Sequence, residues 1–414
     1  MSNNELLELM GSPEKLELLY LSKPEQFRTW LNEAIIKHPE SETLKVWNAR
    51  INFTRLSFIP ETKVPLFIVV IISLASGFLM KLPAFLPITE KWFYPRFAPL
   101  IVICALICYF LPVIHSFKIK SIIIAGLLLC TTVMLLLPDN PMSPSIIMSQ
   151  IHMPLVLGSL LALAFMADDW TNPDARLLYV RYVGEVIIYS ILILIGGIVL
   201  TLLTFGLFGL IGLSIREWYI SHIVVFGLVA IPIVATFLYD SALKRVSKIA
   251  VLISNVFSPL LLITVFVYLL AILYQGKSPY VGRDFFISFN GLLVIVLAVT
   301  VFSISGKSKP ETSRVVDKVN ISLVSVTLLI NTVALSAILF RLSEYGITPN
   351  RVAVTGSNVL IFIHLVLILK AYIHQYKNSD SPDKLKKVVA NYLPIYSLWS
   401  VIIGIILPVL FAFR

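Results

Sequence analysis

The stretch VGEVIIYSILILIGGIVLTLL, residues 183–203, contains a single charged side chain, Glu185, in an otherwise largely apolar run. A helix of about 20 such residues matches the roughly 30 Å hydrocarbon core of a bilayer. Only a helix or a closed barrel satisfies its backbone groups there. The apolar run continues beyond Leu203 to Ile215, which as one helix from Val183 would measure roughly 50 Å at 1.5 Å per residue. A segment that long must tilt, break or turn along the interface. Gly206, Gly209 and Gly212 stand where a break is expected. They serve either a discontinuous helix that exposes backbone to a ligand, or a close-packing face ahead of a turn.

Ten further segments of the same kind flank this one, at 64–80, 97–114, 121–137, 151–166, 220–238, 251–274, 291–305, 321–340, 352–372 and 393–413. The whole 414-residue chain is 58 % hydrophobic and 14 % charged, with a mean hydropathy of +0.90. Soluble chains run nearer 45–50 % apolar and about 25 % charged, so a soluble enzyme, a disordered chain and a fibrous protein are excluded. The expected fold is all-α: a polytopic integral membrane bundle of about 11 transmembrane helices over 64–414. Residues 1–63 are expected to form a short amphipathic-helical cytoplasmic leader. Ser12-Pro13-Glu14 and Ser22-Lys23-Pro24-Glu25 mark helix starts within it. No signal peptide is recognised at its head.

Net charge is +10. In a membrane chain such an excess records topology and contact with anionic lipid, and here it sits in short loops, so nucleic acid is not an expected partner. Lys and Arg near the segment ends number 20 on one side, including Lys63, Lys118, Arg176, Lys244, Arg245, Lys248 and Lys309, against 9 on the other, including Lys81, Arg96, Lys277 and Arg351. That asymmetry predicts a cytoplasmic N-terminus and an outer C-terminus. Cys104, Cys108 and Cys130 all fall in apolar segments and read as buried structural thiols. Neither a metal nor a cofactor is expected, because no P-loop, dinucleotide fingerprint or ligand spacing occurs.

Ionisable groups inside spans are costly enough to be candidates by default. Glu185 opens its span within snorkelling reach of the cytoplasmic interface, Asp240 closes the sixth on that same side, and His364 lies deep within the tenth. His364 serves either a helix contact or a proton relay. Asp168, Asp169 and Asp174 concentrate carboxylate in one loop, either to hold a divalent cation with a phosphate-bearing substrate or as a solvated turn whose Asp or Thr caps the next helix. Prolines such as Pro154, Pro232, Pro259 and Pro394 are expected to kink their spans.

The most distinctive string is Arg341-Leu-Ser-Glu344-Tyr345-Gly346-Ile-Thr348-Pro349-Asn350-Arg351. Gly346 suits a positive φ at the end of one helix, Thr348 an N-cap and Pro349 the first turn of the next. Arg341, Glu344 and Arg351 are spaced for an Arg–Glu–Arg cluster at the membrane surface. Arg-x-x-Glu-Tyr-Gly-x-Thr-x-Asn-Arg between two apolar helices resembles the signature of an uncharacterised bacterial family of multi-pass membrane proteins, domain of unknown function 4153. The proline-containing helix around Pro259, with Tyr268 and Tyr274, is similar too, whereas the loop 276–290 departs from the family's Trp/Pro/Gly-rich form. The resemblance implies a bacterial inner membrane and supplies neither activity nor catalytic residue.

The leading expectation is therefore a non-enzymatic carrier of a small or lipid-like solute. Its polar site would be formed by Arg341, Glu344, Tyr345, Thr348, Asn350, Arg351 and His364. The alternatives are a scaffold or signalling protein that docks a cytoplasmic partner through residues 1–63, and a polytopic enzyme acting on lipid-linked substrates through Asp168, Asp169 and Asp174.

Overall fold

The computed structural model describes residues 6, 9–22, 24–52, 64–210, 213, 215–242, 249–275, 283–307, 314–378 and 383–414. Lys63, Gly212, Lys244, Arg245, Lys248, Lys277, Lys309 and residues 276–282 of the loop 276–290 lie outside the described residues, as does the side chain of Tyr345. The chain divides into two compact units, Met1–Phe58 and Ile59–Arg414.

Among its described residues the first unit has the short helices α1 (Pro13–Ser22), α2 (Pro24–Lys37) and α3 (Glu42–Asn52). Leu6, Leu16, Phe27, Leu31, Leu44 and Trp47 are buried together, so this small segment has a core of its own. Phe27 and Trp47 meet with ring centroids 5.0 Å apart. Arg50 closes the cluster, stacking over Trp47 at 4.7 Å and donating to Glu17 at 2.7 Å. Burying each of these large side chains contributes about 1.5–3 kcal/mol, which is how so short a segment holds together.

The second unit is a bundle of long helices, with no strand among the described residues. In chain order they are α4 (Leu66–Met80), α5 (Glu90–Phe110), α6 (Phe117–Leu136), α7 (Pro144–Met166), α8 (Pro173–Leu210), α9 (Arg216–Asp240) and α10 (Ile249–Gln275). They continue with α11 (Arg283–Ser305), α12 (Arg314–Tyr345), α13 (Pro349–Asn378) and α14 (Asp383–Leu410). Among the described residues, nine helices are long and apolar enough to cross a membrane, and Leu66–Met80 and Asn290–Ser305 are shorter apolar helices. Phe67, Ile71, Leu128, Leu192, Leu202 and Val267 stand more than half exposed. Apolar side chains turned outward on this scale fit a helical membrane protein whose surroundings are acyl chains.

Hydrogen bonds between helices fix which ends lie together. At one end, Lys81 Nζ at the close of α4 donates to Ser221 O early in α9 (2.8 Å), and Ser143 Oγ ahead of α7 donates to Phe413 O beyond α14 (2.8 Å). At the opposite end, Tyr109 OH at the close of α5 donates to Asp240 Oδ2 at the close of α9 (3.0 Å), and Lys307 beyond α11 pairs with Asp317 early in α12. We refer to these as the Ser143 end and the Lys307 end.

Several sequence expectations are corrected. α8 runs unbroken through Gly206 and Gly209 to Leu210 over 38 residues. A glycine costs a helix only about 1 kcal/mol relative to alanine, and in hydrocarbon its backbone has no other hydrogen-bond partner. Cys108 is exposed and Cys104 half-buried, leaving Cys130 as the buried thiol, because α5 turns one face outward. The buried cation Arg96 closes α6: Nη1 donates to Met134 O (3.1 Å) and Leu137 O (2.7 Å), and Nη2 donates to Pro138 O (2.8 Å). The last carbonyls of a helix have no intrahelical donor, and this guanidinium supplies one.

Candidate functional site

Near the Ser143 end, α7, α11 and α13 surround a cavity of about 230 Å³. Its polar wall comprises His152 from α7, Asn290 from α11, and Ser357 and Asn358 from α13. Asn358 Nδ2 donates to Asn290 Oδ1 at 2.8 Å, tying α13 to α11. Ser357 Oγ accepts from Trp399 Nε1 of α14 at 3.0 Å. Gly356 permits that approach, since a Cβ there would occupy the Trp399 indole. His152 Nδ1 lies 2.9 Å from Met148 O, so Nδ1 carries the proton of the neutral ring and Nε2 remains an acceptor. On the rim, Ile151 and Val294 are 56 % and 55 % exposed, so the cavity opens beside the lipid-facing surface. Among the described residues no formally charged side chain lines it. Such a site offers hydrogen bonds to a neutral polar head and apolar contact to a tail attached to that head.

The Arg341–Arg351 string forms the α12–α13 turn. Gly346 takes φ +74°, Thr348 Oγ1 accepts from Arg351 N (3.4 Å), and Arg351 Nη1 donates to Gly346 O (2.7 Å). Glu344 and Asn350 are exposed and Arg341 is half-buried. None of the ion pairs among the described residues involves Glu344, so the Arg–Glu–Arg cluster does not form there. His364 lies thirteen residues beyond Arg351, about 20 Å along α13. It is fully buried, stacked on Tyr392 (4.3 Å between centroids), with Nδ1 3.0 Å from Tyr396 OH. The structure therefore keeps the string and His364 apart, with the cavity-lining residues Ala353 to Ile361 of α13 between Arg351 and His364; neither the string nor His364 is itself among the lining residues.

Glu185 and Asp240 do not snorkel; both are buried. Glu185 Oε1 accepts from Ala250 N at 2.8 Å and so caps α10, where a carboxylate favours the helix dipole. Asp168 is exposed and Asp169 half-buried in a single 3₁₀ turn. Asn172, rather than Asp or Thr, accepts from the first turn of α8, through Asp174 N at 3.0 Å. Among the described residues no group of three or more His, Cys, Asp or Glu side chains is placed to hold a metal.

A further polar cluster was missed in the sequence. Lys307 pairs with Asp317, donates to Gln375 Oε1 (3.4 Å) and sits 4.7 Å over the Tyr372 ring. Burial pushes the Lys307 ammonium below the usual lysine value, against the pull of Asp317. One turn on, Asn320 Nδ2 donates to Ser303 Oγ (3.0 Å) and Tyr372 OH (3.2 Å), and Ser303 donates to Asn255 Oδ1 (2.7 Å). The available signal was the spacing of Asn320, Thr327 and Asn331, which repeats on one face of an apolar helix.

No family model matches this chain, and neither a curated protein nor a solved structure does.

Proposed function

We propose that this chain is a carrier with eleven spans in a bacterial inner membrane that moves a small lipid-like solute with an uncharged polar head. The observation that supports this is the open, mostly apolar cavity among α7, α11 and α13, whose lining includes the polar side chains His152, Asn290, Ser357 and Asn358. An ionised head would lose its hydration there without gaining a counter-charge, whereas a hydroxyl or amide meets Asn290, Ser357, Asn358 and His152. At about 230 Å³ the cavity is smaller than the 300–1,000 Å³ typical of drug-sized ligands, so it suits a head group whose tail stays in the bilayer. Arg341, Glu344, Thr348, Asn350 and Arg351 then form the polar turn at the membrane surface that sets where α13 begins. The excess of Lys and Arg puts the Lys307 end in the cytoplasm.

Proteoliposomes offered a panel of neutral amphipathic solutes (acylglycerols, isoprenoid alcohols, fatty amides) test the reading by mass spectrometry of what crosses. At least one solute is expected to cross faster than in protein-free vesicles, and Asn358→Leu is expected to remove the difference. Rates equal to those of empty vesicles for every solute would overturn it. A second reading, a docking arm in residues 1–63, draws support from the separate core of Leu16, Phe27, Leu31 and Trp47. Deleting residues 1–58 separates the two, since a carrier keeps its transport and a scaffold loses its partner.

A further inference from the structure

From the level of the cavity's inner lining toward the Lys307 end, the seam among α11, α12 and α13 contains polar side chains with nothing to bond. Asn331 is fully buried with both Nδ2 and Oδ1 unpartnered, and the hydroxyls of Thr327 and Thr300, on equally buried residues, are unpartnered as well. The register of the three helices places them. Asn320 bonds Ser303 of α11 and Tyr372 of α13, so those three residues are level. Eleven residues along antiparallel neighbours, Asn331 comes level with Ile361, which lines the cavity, and with Leu292, two residues from Asn290. Asn331 also shares a face with Val324 and Leu328, which pack against Leu293 of α11 and Ile361 and Leu365 of α13. Thr327 sits one turn deeper. Thr300 continues the stripe of Leu293 and Leu297 on the facing side of α11.

We infer that Asn331, level with the inner lining of the cavity, and Thr327 and Thr300, deeper along the seam, form a second polar subsite beside the cavity, which takes the uncharged hydroxyl- or amide-bearing head of the carried solute on its way toward the Lys307 end. The inference rests on the carrier reading. Buried polar groups are almost always paired, and a helix interior needs no amide at position 331 to fold. Asn331 presents both a donor and an acceptor, and each threonine hydroxyl can act as either, which matches a neutral head that both donates and accepts. Beyond the subsite the seam is closed by Asn320 with Ser303 and Tyr372, and then by the Lys307–Asp317 pair.

Thiol modification tests it without knowing the solute. In full-length protein with Cys104, Cys108 and Cys130 changed to alanine, single variants Ser357→Cys, Asn331→Cys and Ile330→Cys are exposed in proteoliposomes to 2-hydroxyethyl methanethiosulfonate. This uncharged hydroxyl-bearing reagent attacks only thiols able to ionise in contact with water. Ile330 is the control, buried one residue away against α10 and α11. The expected result is a mass shift for Ser357→Cys and Asn331→Cys and none for Ile330→Cys. A shift for Ser357→Cys alone would overturn the subsite and leave the cavity reading intact. No shift at Ser357→Cys would overturn both, and equal shifts at 330 and 331 would overturn the subsite by showing a loose helix instead. As a second measurement, Asn331→Leu is expected to unfold in detergent at the same temperature as the parent or higher. A lower unfolding temperature would assign Asn331 to structure and overturn the inference.

Discussion

Asn290 and Asn358 meet side chain to side chain at 2.8 Å, joining α11 to α13 at the wall of the cavity. An amide pair inside an apolar bundle, with Asn358 buried and Asn290 half-buried, favours one rotation of both helices, because another rotation turns the amides toward hydrocarbon. Asn358→Leu is expected to cost about 1–3 kcal/mol by stranding Asn290, and the double variant Asn290→Leu/Asn358→Leu to recover most of it. Thermal unfolding in detergent reads both. Equal losses in the single and double variants would show that the pair carries no such coupling.

Lys307 and Asp317 present the same asymmetry with charge. Their side chains are 5 % and 10 % exposed. Lys307→Met alone should destabilise by about 3–5 kcal/mol, since it leaves a carboxylate uncompensated, whereas Lys307→Met with Asp317→Leu should come close to the parent. Denaturant midpoints for the two single variants and the double complete the cycle.

Arg96 caps α6 with a planar fork spread over three carbonyls. Arg96→Met is expected to cost roughly 2 kcal/mol or more, and Arg96→Lys to restore only a minority of it, because one ammonium cannot reproduce that fork. An Arg96→Lys variant as stable as the parent would show that charge alone suffices there.

Gly356 faces the Trp399 indole with no room for a methyl group. Gly356→Ala must therefore push Trp399 away and break its bond to Ser357, at about 1–3 kcal/mol. A lowered unfolding temperature that Trp399→Phe partly restores is the expected outcome. An unaffected Gly356→Ala variant would mean the two helices separate freely.

The apolar runs were legible because their signal is composition over a length: each of the eleven segments falls largely on a helix, and among the described residues nine helices are long and apolar enough to cross a membrane. Turn chemistry was legible as well: Gly346 at φ +74° and Thr348 ahead of Pro349 are local needs that local residues announce. What could not be read was partnership across the bundle. Glu185 looked like an interfacial acid and instead caps α10, because its partner Ala250 is 65 positions away. Arg96 looked like a loop cation and instead closes a helix about 40 residues on. The string 341–351 drew attention by its density of polar residues. The cavity draws its few polar residues from α7, α11 and α13, and only Ser357 and Asn358 stand side by side in the sequence.

α8 has one more physical consequence. From Val183 to Leu210 it offers an apolar rod of about 42 Å to a hydrocarbon layer of about 30 Å, and from Ile187 onward none of its described side chains is buried. With so few neighbours to hold it upright, the mismatch is relieved by leaning through the bilayer or by stretching the annular lipids around it. Its seating then depends on acyl-chain length, so reconstitution into short-chain and long-chain lipid should place Leu202 and Leu203 at different depths.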